Sequence, residues 1–196
     1  MTDLSIYKKF SHTQRDFDVN DTIDPTFLDK VKKLIDEYIK EYNMSVFTDI
    51  VTDKREIKLL YSVAIHEFDG YNDDLAWKTN TQMLAPLLIC ITPKIRNDPI
   101  NLIHIGRLYS HIGLDAINFE YSTGFCMAVN LLALRGYSTM VKYIHYHDNI
   151  ALQMVWLCIG KPYDSSKLYC YSHIHNRYFH PKLRLHKNHI NVTYES

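Results

Sequence analysis

Apolar residues recur along this chain with two different periods, and the changes between them mark out its helices and strands. Phe27, Val31, Leu34, Ile35, Tyr38 and Tyr42 keep the three-to-four spacing of one helical face, behind a start signal of Asp24 as cap and Pro25 in the first turn. This predicts a helix over 25–42 whose other face, with Asp29, Lys33, Asp36 and Lys40, meets water. Residues 46–51 are few and β-branched, which predicts a strand, and Asp53 then caps a helix over roughly 54–68. A polar loop follows over 70–79. The continuous apolar runs 84–91, ended by Pro93, and 152–159, ended by Gly160 and Pro162, predict strands buried on both faces. A helix over 100–110 leads into the longest pattern, 114–137, where Tyr121, Gly124, Phe125, Ala128, Leu131 and Leu132 fall three or four apart. Its second half is apolar nearly all round and closes at Gly136, which predicts a central helix enclosed by a core or a subunit interface.

Strands separated by helices imply α+β or α/β layers rather than a bundle. At 196 residues the chain suits one domain, 1–196, with 161–196 as an extended C-terminal tail. The formal net charge is zero, which gives no general attraction to nucleic acid or membranes. No apolar run approaches the roughly 20 residues of a spanning helix, and residues 1–20 lack a signal-peptide core, so a cytoplasmic protein is expected. Three of the four cysteines, Cys90, Cys126 and Cys158, sit in apolar segments and read as reduced packing residues.

The stretch 161–189 differs from the rest: it holds Lys161, Lys167, Arg177, Lys182, Arg184, Lys187 and five histidines against one acid, Asp164. Tyr169, Tyr171, Tyr178 and Phe179 interleave with these cations, as in a strand-binding surface for nucleic acid. Overall neutrality argues against that use, and a tail laid across a partner subunit accounts for the same composition. The pairs His145/His147 and His173/His175 put two rings on one face of a strand, but neither stands in a recognised metal-ligand pattern, so no metal is assigned.

The order of local motifs resembles the nitroreductase-like family of FMN-dependent oxidoreductases. The family's arginine-rich opening is matched by Ser11-His12-Thr13-Gln14-Arg15-Asp16-Phe17, followed by Ile23-Asp24-Pro25 into the first helix; Ser11 and His12 stand where the family has two arginines. Residues 81–89 resemble the lead-in to the family's central strand, 114–139 its long central helix and the loop beside the flavin, and 156–162 its strand ending in glycine, any residue, proline. Thr13-Gln14-Arg15 and the late pair Asn176-Arg177 resemble the short versions carried by some tailed phages.

This resemblance implies a nitroreductase-like α+β fold: a central mixed sheet flanked by helices, a long buried central helix, and a C-terminal tail wrapping the partner of a homodimer. It implies FMN as cofactor and a ping-pong hydride transfer from NAD(P)H to a small-molecule acceptor such as a nitroaromatic or quinone. The flavin carries the chemistry, so no catalytic side chain is implied. Ser11, His12, Thr13 and Arg15 would serve the phosphate, joined by Arg177 from the tail. Ser138, Thr139 and Met140 would offer backbone donors beside the ring, and Asn43 would meet the pyrimidine edge. Read without the family, Arg15 is an ion-pair partner for Asp16 or Asp18, Arg177 a solvated charge, and Asn43 the residue that ends the first helix. The missing arginines leave a second possibility, a degenerate dimer of the same fold without redox activity.

Overall fold

The structure is a computed structural model that describes residues 17, 19–66, 81–95, 98–127, 129, 154–161, 170–172 and 177–179. Helix α1, Pro25–Glu41, starts where Asp24 accepts the Thr26 N–H at 2.7 Å and turns Phe27, Val31, Ile35 and Tyr38 inward. Strand β1, Val46–Val51, leads to α2, Lys54–His66, whose first turn is capped by Asp53 through the Arg55 and Glu56 N–H groups at 2.9 Å each. A 3₁₀ turn, Thr81–Leu84, precedes β2, Leu87–Pro93, so the first part of the apolar run over 84–91 is a turn rather than strand. Helix α3, Pro99–Asn118, is followed by β3, Ser122–Cys126, and β4, Trp156–Gly160. A short hairpin of β5, Cys170–Ser172, and β6, Arg177–Phe179, lies in the tail.

Strands β1 to β4 form one sheet in the order β1-β2-β4-β3. Every neighbouring pair in it is antiparallel, so the expected mixed sheet is, among the described residues, an antiparallel one. Alternation along β2 and β4 builds two cores. Leu87, Ile89, Ile91, Leu157 and Ile159 face α1 and α3, while Leu88, Cys90, Trp156 and Cys158 face α2 and the 3₁₀ turn.

The sequence pattern misplaced the central helix. The stretches 100–110 and the beginning of 114–137 are one helix, α3, which ends at Asn118 with Phe119 as its cap. Glu120 then takes a left-handed conformation, φ 59°, and the chain enters β3. The residues read as a helical stripe there, Tyr121, Gly124 and Phe125, satisfy strand alternation equally: Ser122, Gly124 and Cys126 are buried while Phe125 is exposed. A six-residue apolar segment fits both periods, and pairing with β4 decides for the strand. Nor is α3 enclosed, because Ile100 and Ile103 are 67% and 58% exposed and Leu102 and Leu114 are half exposed. Gly136 and the rest of 130–137 lie outside the described residues.

Tyr109 joins the helical layer to the sheet. The β2–β4 pairing ends at Cys90↔Trp156, and the Tyr109 hydroxyl enters where the next pair would form. The Ile91 N–H donates to it at 2.8 Å, and it donates to the Val155 carbonyl at 3.0 Å, with the Ile89 carbonyl 3.4 Å away. One side chain thereby completes two backbone groups that would otherwise be buried unpaired.

Candidate functional site

At the end of the sheet where β2 begins and β4 stops, three residues distant in sequence form a notch. A Cβ on Gly160 would lie 2.5 Å from Pro86 Cδ and 3.1 Å from the Phe17 ring, so glycine is required there by close approach. Phe17 is buried in the core that α2 covers, and Val19 packs beside it. Further along, the Lys54 ammonium donates to the Asn20 carbonyl at 2.9 Å, and the Asp24 N–H donates to the Tyr121 hydroxyl at 2.9 Å. The segment that follows the Ser11–Phe17 motif is therefore held by α2, by the strand ends and by the turn before β3.

The anticipated site residues divide sharply. Ser11, His12, Thr13, Arg15, Ser138, Thr139 and Met140 lie outside the described residues. Arg177 opens β6, opposite Ser172, and its side chain also lies outside them. Asn43 is described: it is exposed, has φ 47°, and donates its N–H to the Lys40 carbonyl at 3.3 Å, which is the helix-ending role. Its loop enters β1 opposite Pro93, whereas the notch lies beyond Leu87, so the length of β2, about 20 Å at ~3.4 Å per residue, separates the two.

The electrostatics of the described core do not favour nucleophilic chemistry. Burial pushes the Cys90 and Cys158 thiols and the Tyr109 hydroxyl well above their usual values, keeping all three protonated at neutral pH. Among the described residues no group of three or more His, Cys, Asp or Glu is placed to hold a metal ion, and both histidine pairs fall outside those residues. No helix among them is long and apolar enough to cross a membrane. The Trp156 indole donates to the Val129 carbonyl at 3.1 Å, and the Gln82 amide lies 3.4 Å from the Phe125 carbonyl, both on the α2 side of the sheet.

Sequence reasoning missed Phe17, Pro86 and Gly160 as a unit. Each carries a local signal: an aromatic closing the arginine motif, a proline before a strand, a glycine at a strand end. Nothing in their spacing says that they touch.

Neither a protein-family model nor a curated protein sequence matches the chain. Solved structures do match it across most of its length. A nitroreductase with bound FMN from Desulfitobacterium hafniense aligns over 82% of this chain and 89% of its own, with TM-score 0.60 and 16% identity. A nitroreductase with bound FMN from Bacteroides fragilis aligns over 81% and 87%, with TM-score 0.58 and 10% identity. The FMN-dependent nitroreductase NfnB from Mycobacterium smegmatis, solved in complex with NADPH, aligns over 83% and 90%, with TM-score 0.56 and 12% identity. The chain therefore has the α+β fold of nitroreductase-type FMN flavoproteins. At these identities it is the fold that is shared.

Proposed function

We propose that this protein is a cytoplasmic, homodimeric, FMN-dependent NAD(P)H oxidoreductase of the nitroreductase type. The observation that carries the reading is the agreement of two likenesses, the order of sequence motifs and a fold shared with an FMN-bound nitroreductase over 82% of the chain.

The donor set suits the cofactor in kind. A dianionic phosphate needs cationic and hydroxyl donors, and within five residues the chain supplies the Ser11 and Thr13 hydroxyls, the His12 imidazole and the Arg15 guanidinium. Arg15 would hold the phosphate by a two-pronged contact, with Ser11, His12 and Thr13 as donors to its remaining oxygens. Arg177 would add a second cation from the tail of the partner. The backbone N–H groups of Ser138, Thr139 and Met140 would offer donors to the flavin ring, where negative charge accumulates on reduction. Asn43 lies at the far end of β2 from the notch and already ends α1, so the pyrimidine edge is the weaker of its two assignments. When bound, FMN supplies hydride exchange between NAD(P)H and an acceptor such as a nitroaromatic or quinone.

Dimerisation is supported by α3. Ile103, Gly106, Ser110, Leu114 and Ile117 form one uncharged stripe on the side turned away from the sheet, bordered by the exposed Ile100. Partly exposed apolar side chains of this number present several hundred Å², a large share of the ~800 Å² per subunit that a stable dimer buries. Ile103→Glu is expected to shift the sedimentation coefficient from dimer to monomer.

Loss of the family's paired arginines favours a second reading, a dimer of the same fold that no longer turns over. Titration of purified protein with FMN, followed by quenching of flavin fluorescence, separates the two. Saturable binding weakened about tenfold or more by Arg15→Ala supports the oxidoreductase, since a charge-assisted contact contributes about 1.5–3 kcal/mol. Absence of binding leaves the degenerate dimer.

A further inference from the structure

The apolar face of α3 continues onto the sheet. We infer that a second copy of this chain seats in a groove between α3 and β3, with Gly106 as its floor, so that β3 shares the subunit contact with the helix. The inference rests on the homodimeric reading given above and locates its interface.

The groove follows from how the two elements run beside each other. A Cβ on Gly113 would meet the Thr123 side chain at 3.9 Å, and the Tyr109 and Phe125 rings stand 6.2 Å apart. Four residues back along α3 thus match two residues forward along β3, about 6 Å of helix against about 6.8 Å of strand. The next step of the same size brings Met127 level with Ile105 and Gly106, and alternation turns it to the side of Thr123 and Phe125. At Gly106 a Cβ would meet nothing within 4 Å. Ser110 turns its hydroxyl back onto the Gly106 carbonyl at 2.9 Å, so its donor is used within the helix. Leu102 and Ile103, 49% and 58% exposed, border the opening on one side, and Phe125 and Met127, 45% and 53% exposed, on the other.

A glycine in mid-helix weakens the helix relative to alanine, and among the described residues nothing approaches Gly106 closely enough to require it. Close approach from outside does require it. The character of the face selects what approaches. Its charged and imidazole groups lie at the other border of α3, where His104 and His111 meet the Tyr38 ring and Arg107 acts electrostatically on Tyr42. A nucleic acid or an acidic peptide therefore finds no counter-charge in the groove. A two-fold contact pairs one surface with itself, so it needs a hollow and a ridge on the same face. Gly106 supplies the hollow, and the exposed Ile100, Ile103 and Leu114 supply the ridge. Area agrees: at roughly 100 Å² for each half-exposed large side chain, α3 alone falls well short of the ~800 Å² per subunit of a stable dimer, and Phe125 and Met127 narrow the gap.

The test measures the dimer dissociation constant of the full chain by sedimentation, with circular dichroism to show that each variant is folded. Gly106→Trp has open space within one subunit but fills the seat of the other. It is expected to raise the dissociation constant at least tenfold and to leave the helical spectrum as in wild type. Met127→Asp, which places a charge in the contact, is expected to do the same. Leu59→Asp, at a site 46% exposed on α2 across the sheet, is the control and should leave the constant unchanged. If Met127→Asp does not fold, Gly106→Trp carries the comparison.

Dimers of wild-type strength in Gly106→Trp and Met127→Asp, with Ile103→Glu monomeric, overturn the groove and leave a dimer built on α3 alone. Equal weakening by Leu59→Asp also overturns it. A wild-type chain that sediments as a monomer overturns the homodimeric reading itself, and the groove with it.

Discussion

The two faces of the sheet are built from the same strands but covered differently. On one face, Leu87, Ile89, Ile91, Leu157 and Ile159 meet α1 and α3, whose Phe27, Val31, Ile35, Leu108 and Ile112 interlock with them. On the other, Leu88, Cys90, Trp156 and Cys158 meet α2, but also Phe17, Met83, Val129 and Met154 from irregular segments. Sulfur-bearing residues gather on this second face: Met83, Met154, Cys90, Cys126 and Cys158. So does the buried side-chain amide of Gln82. The first face is packed mainly by two long helices. The second also accepts Phe17 and residues from loops, and softer residues there adapt to irregular neighbours.

The contrast can be broken by mutation. The largest effect is expected from Leu108→Ala on the helical face: a fully buried leucine with partners on both sides should cost about 3–5 kcal/mol in chemical denaturation. Met83→Ala, equally buried on the other face, should cost about 2–3 kcal/mol, because its irregular surroundings collapse more readily. Equal losses would remove the distinction. Tyr109→Phe tests how the helical layer is joined to the sheet. It leaves the Ile91 N–H and the Val155 carbonyl without the hydroxyl that links them, for about 1–3 kcal/mol, and should hasten hydrogen exchange at Ile91.

The thiols of the second face supply a pH test. Cys90 and Cys158 are raised in the folded state by burial, so above the ordinary thiol value the unfolded chain releases protons that the folded chain retains. Their contribution is fully present below about pH 8.5 and is lost as pH rises past it, by at most about 1.4 kcal/mol per pH unit per thiol. Cys158→Ala should flatten the alkaline fall in denaturation midpoint; an unchanged slope would contradict the assignment. The smallest effects belong to the surface of the helical face. Asp24→Ala removes the cap of α1 for about 1 kcal/mol. Lys30→Ala breaks the 2.7 Å pair with Asp115, but the lysine side chain is 48% exposed, so the change should stay below about 0.5 kcal/mol.

The first helix, β1 and the end of β4 were legible in the sequence because each carries a boundary that acts locally: Asp24-Pro25 before α1, the polar flanks of 46–51, and Gly160 as the last residue of β4, which begins at Trp156 rather than at 152. The junction of α3 and β3 was not. Its stop is Glu120 in a left-handed conformation, a residue with no helix-ending signature, and the following segment fits either period. The antiparallel order of the sheet was also hidden, since it depends on which apolar runs pair. At the site, residue type and resemblance carry the expectation that Thr13 and Arg15 meet a phosphate, on residues outside those described. The notch joins positions 17, 86 and 160, and only folding reveals it.

The most direct test of the account is the visible spectrum of the purified protein reconstituted with FMN and then given NADPH or NADH without oxygen. The account predicts retained flavin absorbance after gel filtration and bleaching by at least one of the two nucleotides, with colour restored by a nitroaromatic or quinone. A protein that emerges colourless and leaves the spectrum of added FMN unchanged would contradict it.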